Sequence, residues 1–289
     1  MKNNPFYFES MNILLERAFK HIVSAHEFKL TGVQCGFPRI DSITGGWQKG
    51  SLITIASPPF MGKTSFILSI ARNAAVDFIR PVGIFSIEPT KMQILMRLIS
   101  LETGIHTRQL FNGELRNEEI NLINEKTKGL MKSSILIDDS PSISIEEFYG
   151  KAKRFKEMQG AELIIINCLY YERLMELGDY SEWENCNVFQ RLKEIAKELD
   201  IPIIVVLQMG EAGIRNRPQL SDLRHPFDVE KDSDVIIFLN RPESYGIVED
   251  EKGNSTVGIV ELIVAKHNNG RIGNARLFFN PHTGSFSET

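Results

Sequence analysis

Residues Leu52-Ile53-Thr54-Ile55-Ala56 form a β-branched run that leads directly into Ser57-Pro58-Pro59-Phe60-Met61-Gly62-Lys63-Thr64, and a helical pattern follows over 65–78. No other feature restricts the fold so tightly. A strand, a glycine-containing loop and a helix, in that order, build a phosphate loop. The N–H groups of the loop and of the first helical turn converge on one point as an anion nest. Lys63 adds a mobile positive charge suited to β- and γ-phosphates, the Thr64 hydroxyl is a ligand for Mg²⁺, and Ser65 carries the loop into the helix. Ser57 stands where the simple pattern has its first glycine, a mild departure because a small residue is kept. The alternative is a chance glycine turn before a helix, and the strand that precedes it weighs against that. These residues imply a nucleotide-binding α/β protein with ATP and Mg²⁺ as ligands.

The remainder of the chain agrees with that class. Short apolar runs recur at 82–87, 134–137, 163–166, 201–207 and 235–239, separated for the most part by helical stretches. Several are apolar on both faces, the pattern of parallel strands covered by helices on each side. Ser144-Ile145-Glu146-Glu147 is a capping box that opens one helix, and Pro89 suits the first turn of another. The style changes near the C-terminus, where 257–266 and 275–280 read as an antiparallel hairpin around Asn268-Asn269-Gly270. Residues 10–26 form an amphipathic helix with Ser10 as N-cap and an apolar stripe of Met11, Leu14, Leu15, Ala18, Phe19, Ile22 and Val23. Such a stripe covers either its own domain or a neighbouring subunit, and the pattern alone leaves both open. Two parts result: an N-terminal helical arm over 1–30 and one ATPase domain over 31–289.

Composition excludes several classes. No stretch approaches the roughly 20 apolar residues of a membrane span, and the start lacks the apolar core of a secretory signal, so a cytoplasmic protein is expected. Cys35, Cys168 and Cys186 contain no CxxC pair, which suits reduced thiols better than disulfides or a zinc site. A net charge of −4 lacks the basic excess of a dedicated duplex binder, although a basic ring lumen assembled from several subunits remains compatible with it.

Five further motifs, in order, accompany the phosphate loop: Thr31-Gly32 with Gly36-Phe37, Asp41 and Thr44-Gly45-Gly46; Phe85-Ser86-Ile87-Glu88; Leu220-Ser221-Asp222-Leu223-Arg224; Glu230-Lys231-Asp232-Ser233-Asp234-Val235; and Ala265-Lys266 with Asn269-Gly270. Together they resemble the motor domain of the replicative hexameric DNA helicases of the DnaB family, from about Thr31 to Pro281. The resemblance implies a RecA-like P-loop NTPase core with a mostly parallel sheet flanked by helices and C-terminal antiparallel strands. It also implies roles. Glu88 would polarise the attacking water, Gln208 would sense the γ-phosphate, and Lys266 would reach into a neighbouring subunit's ATP site. Arg224, His225 and Phe227 fall in the DNA-loop region, so the implied partners are single-stranded DNA and further copies of the chain in a hexameric ring, with the arm docked on a neighbour.

The departures from the family pattern are as informative. Asn167, after Leu163-Ile164-Ile165-Ile166, stands at the Walker B aspartate that helps hold Mg²⁺, and an amide lacks the charge a hard cation favours. Asn268 stands at the arginine finger, whose loss in other P-loop enzymes costs about 10³ to 10⁵ in rate. Leu207 and Gly210 replace polar neighbours of Gln208. In the DNA loop, Pro226 lacks an N–H donor and Asp228 repels phosphate. The family's N-terminal helical domain is not found in the 289 residues, so a divergent member lacking it is expected. Two functions follow: a DNA-stimulated ATPase that translocates on single-stranded DNA in replication, or a hydrolysis-impaired paralogue acting as scaffold or regulator. Arg215 and Arg217 could track a strand backbone but read better as solvated charges, Tyr170, Tyr171 and Trp183 could stack bases but read better as core or interface aromatics, and His267 and His282 read as bystanders without a partner at ligand spacing.

Overall fold

The computed structural model describes residues 9–28, 30–167, 188–210, 217–223 and 229–289. Strands β1 (Leu52–Ser57), β2 (Val82–Ser86), β3 (Ile135–Asp138), β4 (Leu163–Asn167), β5 (Ile203–Gln208) and β6 (Val235–Asn240) run parallel. Antiparallel β7 (Ile259–His267), β8 (Gly273–Asn280) and β9 (Ser285–Glu288) extend the same sheet, whose order is β3-β2-β4-β5-β1-β6-β7-β8-β9. The hairpin read from the sequence is the β7–β8 pair; β9, a short mixed segment, carried too weak an alternation to be read as a strand.

The parallel strands bury both faces, and the alternation of their side chains divides the core in two. Ile53, Ile55, Ile84, Ile165, Ile204 and Ile237 point to one side, against Phe66, Ile67, Ile70 and Ala71 of α3 (Lys63–Arg72). Leu52, Ala56, Ile164, Ile166, Val205 and Phe238 point to the other. They meet Phe148, Ala152 and Phe155 of α8 (Ile145–Gln159) and Phe189, Leu192 and Ile195 of α9 (Val188–Leu199). Between β2 and β3 the chain makes α4 (Lys91–Thr103), α5 (Thr107–Asn112), α6 (Asn117–Lys126) and α7 (Lys128–Lys132).

The start of α4 corrects one expectation. Pro89 lies outside the helix, because Thr90 takes the N-cap: its hydroxyl accepts from Gln93 N–H while the Gln93 side chain accepts from Thr90 N–H, a reciprocal capping box. The expected box at Ser144 and Glu147 does open α8.

The glycine-rich entry segment docks by close backbone approach. Val33 and Trp47 form a bridge, and a Cβ on Gly32 would lie 2.5 Å from the Gly46 carbonyl carbon. Asp41, on α2 (Pro38–Thr44), accepts from Cys35 N–H at 2.9 Å and Gly36 N–H at 3.1 Å. Cys35 is buried and free, and Cys168 and Cys186 lie outside the described residues. Ahead of all this, α1 (Met11–Phe28) leaves Met11, Leu14, Phe19 and Ile22 between 44% and 67% exposed. Among the described residues no helix is long and apolar enough to cross a membrane.

Candidate nucleotide site

The carboxyl ends of β1, β2, β4, β5 and β6 lie on one edge of the sheet. The phosphate loop leaves β1 between β5 and β6, where the strand order reverses; in open α/β sheets that crevice is where ligands bind. Gly62 takes φ +93° as the N-cap of α3, a left-handed conformation that side chains resist. A Cβ there would also sit 3.3 Å from Phe279 and 3.4 Å from Phe286, so the position is closed to larger residues twice over. Thr64 and Ser65 follow in the first turn of α3, Thr64 buried and Ser65 half-buried.

Lys63 is 4% exposed. Its Nζ donates to Ser57 O at 2.9 Å, Pro58 O at 2.7 Å and Ser57 Oγ at 3.2 Å, so the ammonium is held inside the loop by the loop's own oxygens. Burial lowers its pKa from 10.5 to about 8. Phosphate oxygens would supply the anionic partner that this buried cation lacks. Pro58 is buried, Pro59 half-buried and Met61 packed in the core, whereas Phe60, at φ +63°, projects with 90% of its surface exposed.

Gln208 ends β5 in register with Ser57, and Met209 N–H donates to Ser57 O at 2.9 Å. Asn167 ends β4, 1% exposed, and donates through Nδ2 to Glu88 O at 3.0 Å and Ser86 Oγ at 3.4 Å. The structure thus brings Ser57, Lys63, Thr64, Glu88, Asn167 and Gln208 to one edge, with the Glu88 side chain exposed there. Asn167 Oδ1 is buried and has no hydrogen-bond partner among the described residues. The amide has a use an aspartate could not have: its N–H tethers the Glu88 carbonyl. Asp138 and Asp139, at and just after the end of β3, are engaged elsewhere, with Lys151 Nζ at 2.7 Å and Lys91 Nζ at 3.3 Å.

Lys266 is not part of this cluster. It pairs with Ile236 near the start of β6, in the row of Thr54, and its Nζ turns away from the phosphate loop. There it donates to the carbonyls of Glu230, Lys231 and Ser233 at the end of α10 (Val229–Asp232), a cation at a helix C-terminus. Asn268 is held beside it: its N–H donates to Asp234 O at 2.9 Å and its Nδ2 to Asp234 Oδ1 at 3.2 Å. Arg217 pairs with Glu261 at 3.4 Å. Arg224, His225 and Phe227, with Arg215, Tyr170, Tyr171 and Trp183, lie outside the described residues.

Sequence reasoning missed Arg241 and Phe279. Arg241 follows β6 and donates to Phe60 O at 3.2 Å, and its guanidinium lies 4.9 Å from the centre of the Phe279 ring. An arginine stacked on an aromatic ring therefore walls the outer side of the loop. The available signal was a charged residue at the end of a strand with no other polar side chain but Asn240.

Comparison with known proteins points to one family. Residues 32–288 match the family model described as DnaB-like helicase C terminal domain. The chain is 32% identical over 286 residues to the replicative DNA helicase DnaC of Bacillus subtilis, covering 96% of this chain and 62% of that protein. It is 32% identical over 280 residues to the replicative DNA helicase DnaB of Geobacillus stearothermophilus, covering 94% and 60%. A solved structure described as an ATPase domain superposes with a TM-score of 0.85 at 28% identity, covering 98% of this chain and 99% of that one. Another, described as a DnaB-like replicative helicase and its interactions with primase, superposes with a TM-score of 0.81 at 28% identity, covering 98% and 67%. The chain thus spans about three-fifths of the length of the two curated relatives.

Proposed function

The chain belongs to the DnaB-like helicase C-terminal domain family, with its RecA-like fold, and on that premise we propose that it is an ATP-driven motor that translocates on single-stranded DNA during replication. The observation that carries the proposal is the convergence of Lys63, Thr64, Glu88, Asn167 and Gln208 at the strand edge where the phosphate loop opens. The residues present suit a Mg²⁺–triphosphate. The nest supplies N–H donors and Lys63 a buried cation, while Thr64 supplies a hydroxyl and Asn167 Oδ1 a neutral oxygen without a partner among the described residues. When bound, Mg²⁺ would neutralise charge on the β- and γ-phosphates.

Around that ligand the chain's own groups divide the work. Lys63 exchanges the Ser57 and Pro58 carbonyls for phosphate oxygens. Glu88 orients the water that attacks in line, and Gln208 reports whether the γ-phosphate is in place. Arg241 and Phe279 bound the side of the loop a base would approach. Lys266 sits away from its own loop, so it serves a neighbour's site, as a head-to-tail ring requires. The uncovered stripe of α1 supports an arm that docks on the next subunit of a hexamer. Arg224, His225 and Phe227 are the proposed contacts to the strand, and a cytoplasmic setting follows from the same reading.

A second reading, a nucleotide-binding scaffold with little turnover, is favoured by the same two asparagines. Asn167 spends its N–H on the Glu88 carbonyl, and Asn268 is tied to Asp234. Strand displacement on a forked DNA with ATP and Mg²⁺, beside a Lys63→Ala control, separates the two. Displacement that the control lacks supports the motor, and ATP binding without displacement or turnover supports the scaffold.

A further inference from the structure

On the far side of the first turn of α3, a second cavity of about 270 Å³ opens beneath the turn between β8 and β9. Ser65, Arg97, His106, Thr107, His282 and Thr283 contribute to its walls, and no carboxylate does among the described residues. We propose that this cavity is a second oxyanion site, separate from the Lys63 nest, that takes a phosphate group.

Arg97, on α4, carries the argument. It is half-buried, and among the described residues it has neither an ion pair nor a hydrogen bond. Its neighbour on the same side of the fold behaves differently: Arg72 is paired with both Glu102 and Asp77. Withdrawing a guanidinium from water without a partner is unfavourable, and the group stays charged. Burial pushes the Arg97 pKa down, with no carboxylate among the described residues opposing it. An anion in the cavity would supply what the protein does not.

Several of the other lining residues carry donors. His106 Nδ1 accepts from Arg108 N–H at 3.0 Å, which leaves the ring proton of the neutral imidazole on Nε2. The His282 ring lies 5.2 Å from that of His106, so the residue read from spacing as a bystander has a partner 176 positions away along the chain. The two strands of wall are tied together where Thr107 N–H donates to His282 O at 3.4 Å. The Ser65 hydroxyl adds a further donor, whereas the Thr107 hydroxyl donates to Ser100 Oγ at 3.1 Å and that of Thr283 pairs with Ser285 Oγ at 2.8 Å. Gly284, at φ +74°, brings the turn so close that a Cβ would lie 2.8 Å from Ser65 Oγ, fixing the cavity one residue beyond Thr64. A planar cation, two imidazoles and a hydroxyl, with no acid among the described lining residues, match a tetrahedral oxyanion.

The phosphate has two possible sources, free inorganic phosphate or a phosphate of a nucleotide seated on the loop. The test follows the His106 and His282 imidazole proton signals by NMR. Inorganic phosphate is titrated into the Lys63→Ala protein, and ADP into the wild type, each against chloride at matched ionic strength. Saturable shifts with phosphate in Lys63→Ala identify the free anion. Shifts only with ADP in the wild type identify the nucleotide. In either case Arg97→Gln is expected to weaken the response roughly tenfold, as loss of a charge-assisted pair should. Shifts with neither ligand in proteins that carry Arg97, or shifts of equal affinity in a folded Arg97→Gln protein, overturn the proposal.

Discussion

Replacing Lys63 by methionine is expected to stabilise the protein while abolishing nucleotide binding. The ammonium is 4% exposed, and burial lowers its pKa from 10.5 to about 8. That difference corresponds to roughly 3 kcal/mol against the charged form in the folded state. Methionine has similar reach and no charge, so it removes the penalty. It also leaves the Ser57 and Pro58 carbonyls without the lysine donor, a loss of about 1 kcal/mol each. A net gain of about 1 kcal/mol at pH 7 results. The pH dependence has a definite sign. Because the folded pKa lies below the unfolded one, the unfolded chain binds more protons between pH 8 and 10.5, and wild-type stability rises across that window. The advantage of Lys63→Met therefore shrinks over the same range. Urea unfolding of both proteins from about pH 7 to 10 measures it, and repeating the pH 7 pair with Mg²⁺–ATP at about a hundred times its Kd should add about 2.7 kcal/mol to the wild type alone. A methionine variant less stable than the wild type at pH 7, or one stabilised equally by nucleotide, refutes the reasoning.

Three other variants probe separate parts of the account. Asn167→Asp loses the N–H that holds the Glu88 carbonyl and buries a charge, so about 1 to 3 kcal/mol of stability should be lost without Mg²⁺. Turnover measured with Mg²⁺ should nevertheless rise, and an unchanged rate would show that the amide already serves. Asn268→Arg restores the cation of the finger position, and ATP turnover should increase at protein concentrations where rings form but not in dilute monomer. Charge on the uncovered face of α1, as in Leu14→Glu with Phe19→Glu, should reduce the assembly seen by sedimentation while leaving thermal unfolding of the domain within about 0.5 kcal/mol, since both side chains are exposed.

What the sequence revealed follows the range over which each signal acts. The phosphate loop, the parallel strands and the β7–β8 hairpin are local patterns of period, glycine and β-branching, and each lies where its residues placed it. The resemblance supplied the order of the motifs but not their contacts. That Asn167 tethers the Glu88 carbonyl, or that Lys266 caps α10, depends on side chains meeting across strands, which no spacing encodes. Arg241 and Phe279 meet for the same reason, as do Arg97, His106 and His282 around their cavity. At Pro89 two local rules competed, and the hydroxyl of Thr90, able to accept from Gln93 N–H, displaced proline from the first turn.

The most direct measurement is steady-state ATP hydrolysis by the purified protein with Mg²⁺, titrated with single-stranded DNA at low salt beside Lys63→Ala. Turnover that rises with DNA and vanishes in the variant is the expected result, with Asn167 and Asn268 compensated within the ring. Tight ATP binding with no turnover above Lys63→Ala, at any DNA concentration, contradicts the motor and leaves the scaffold.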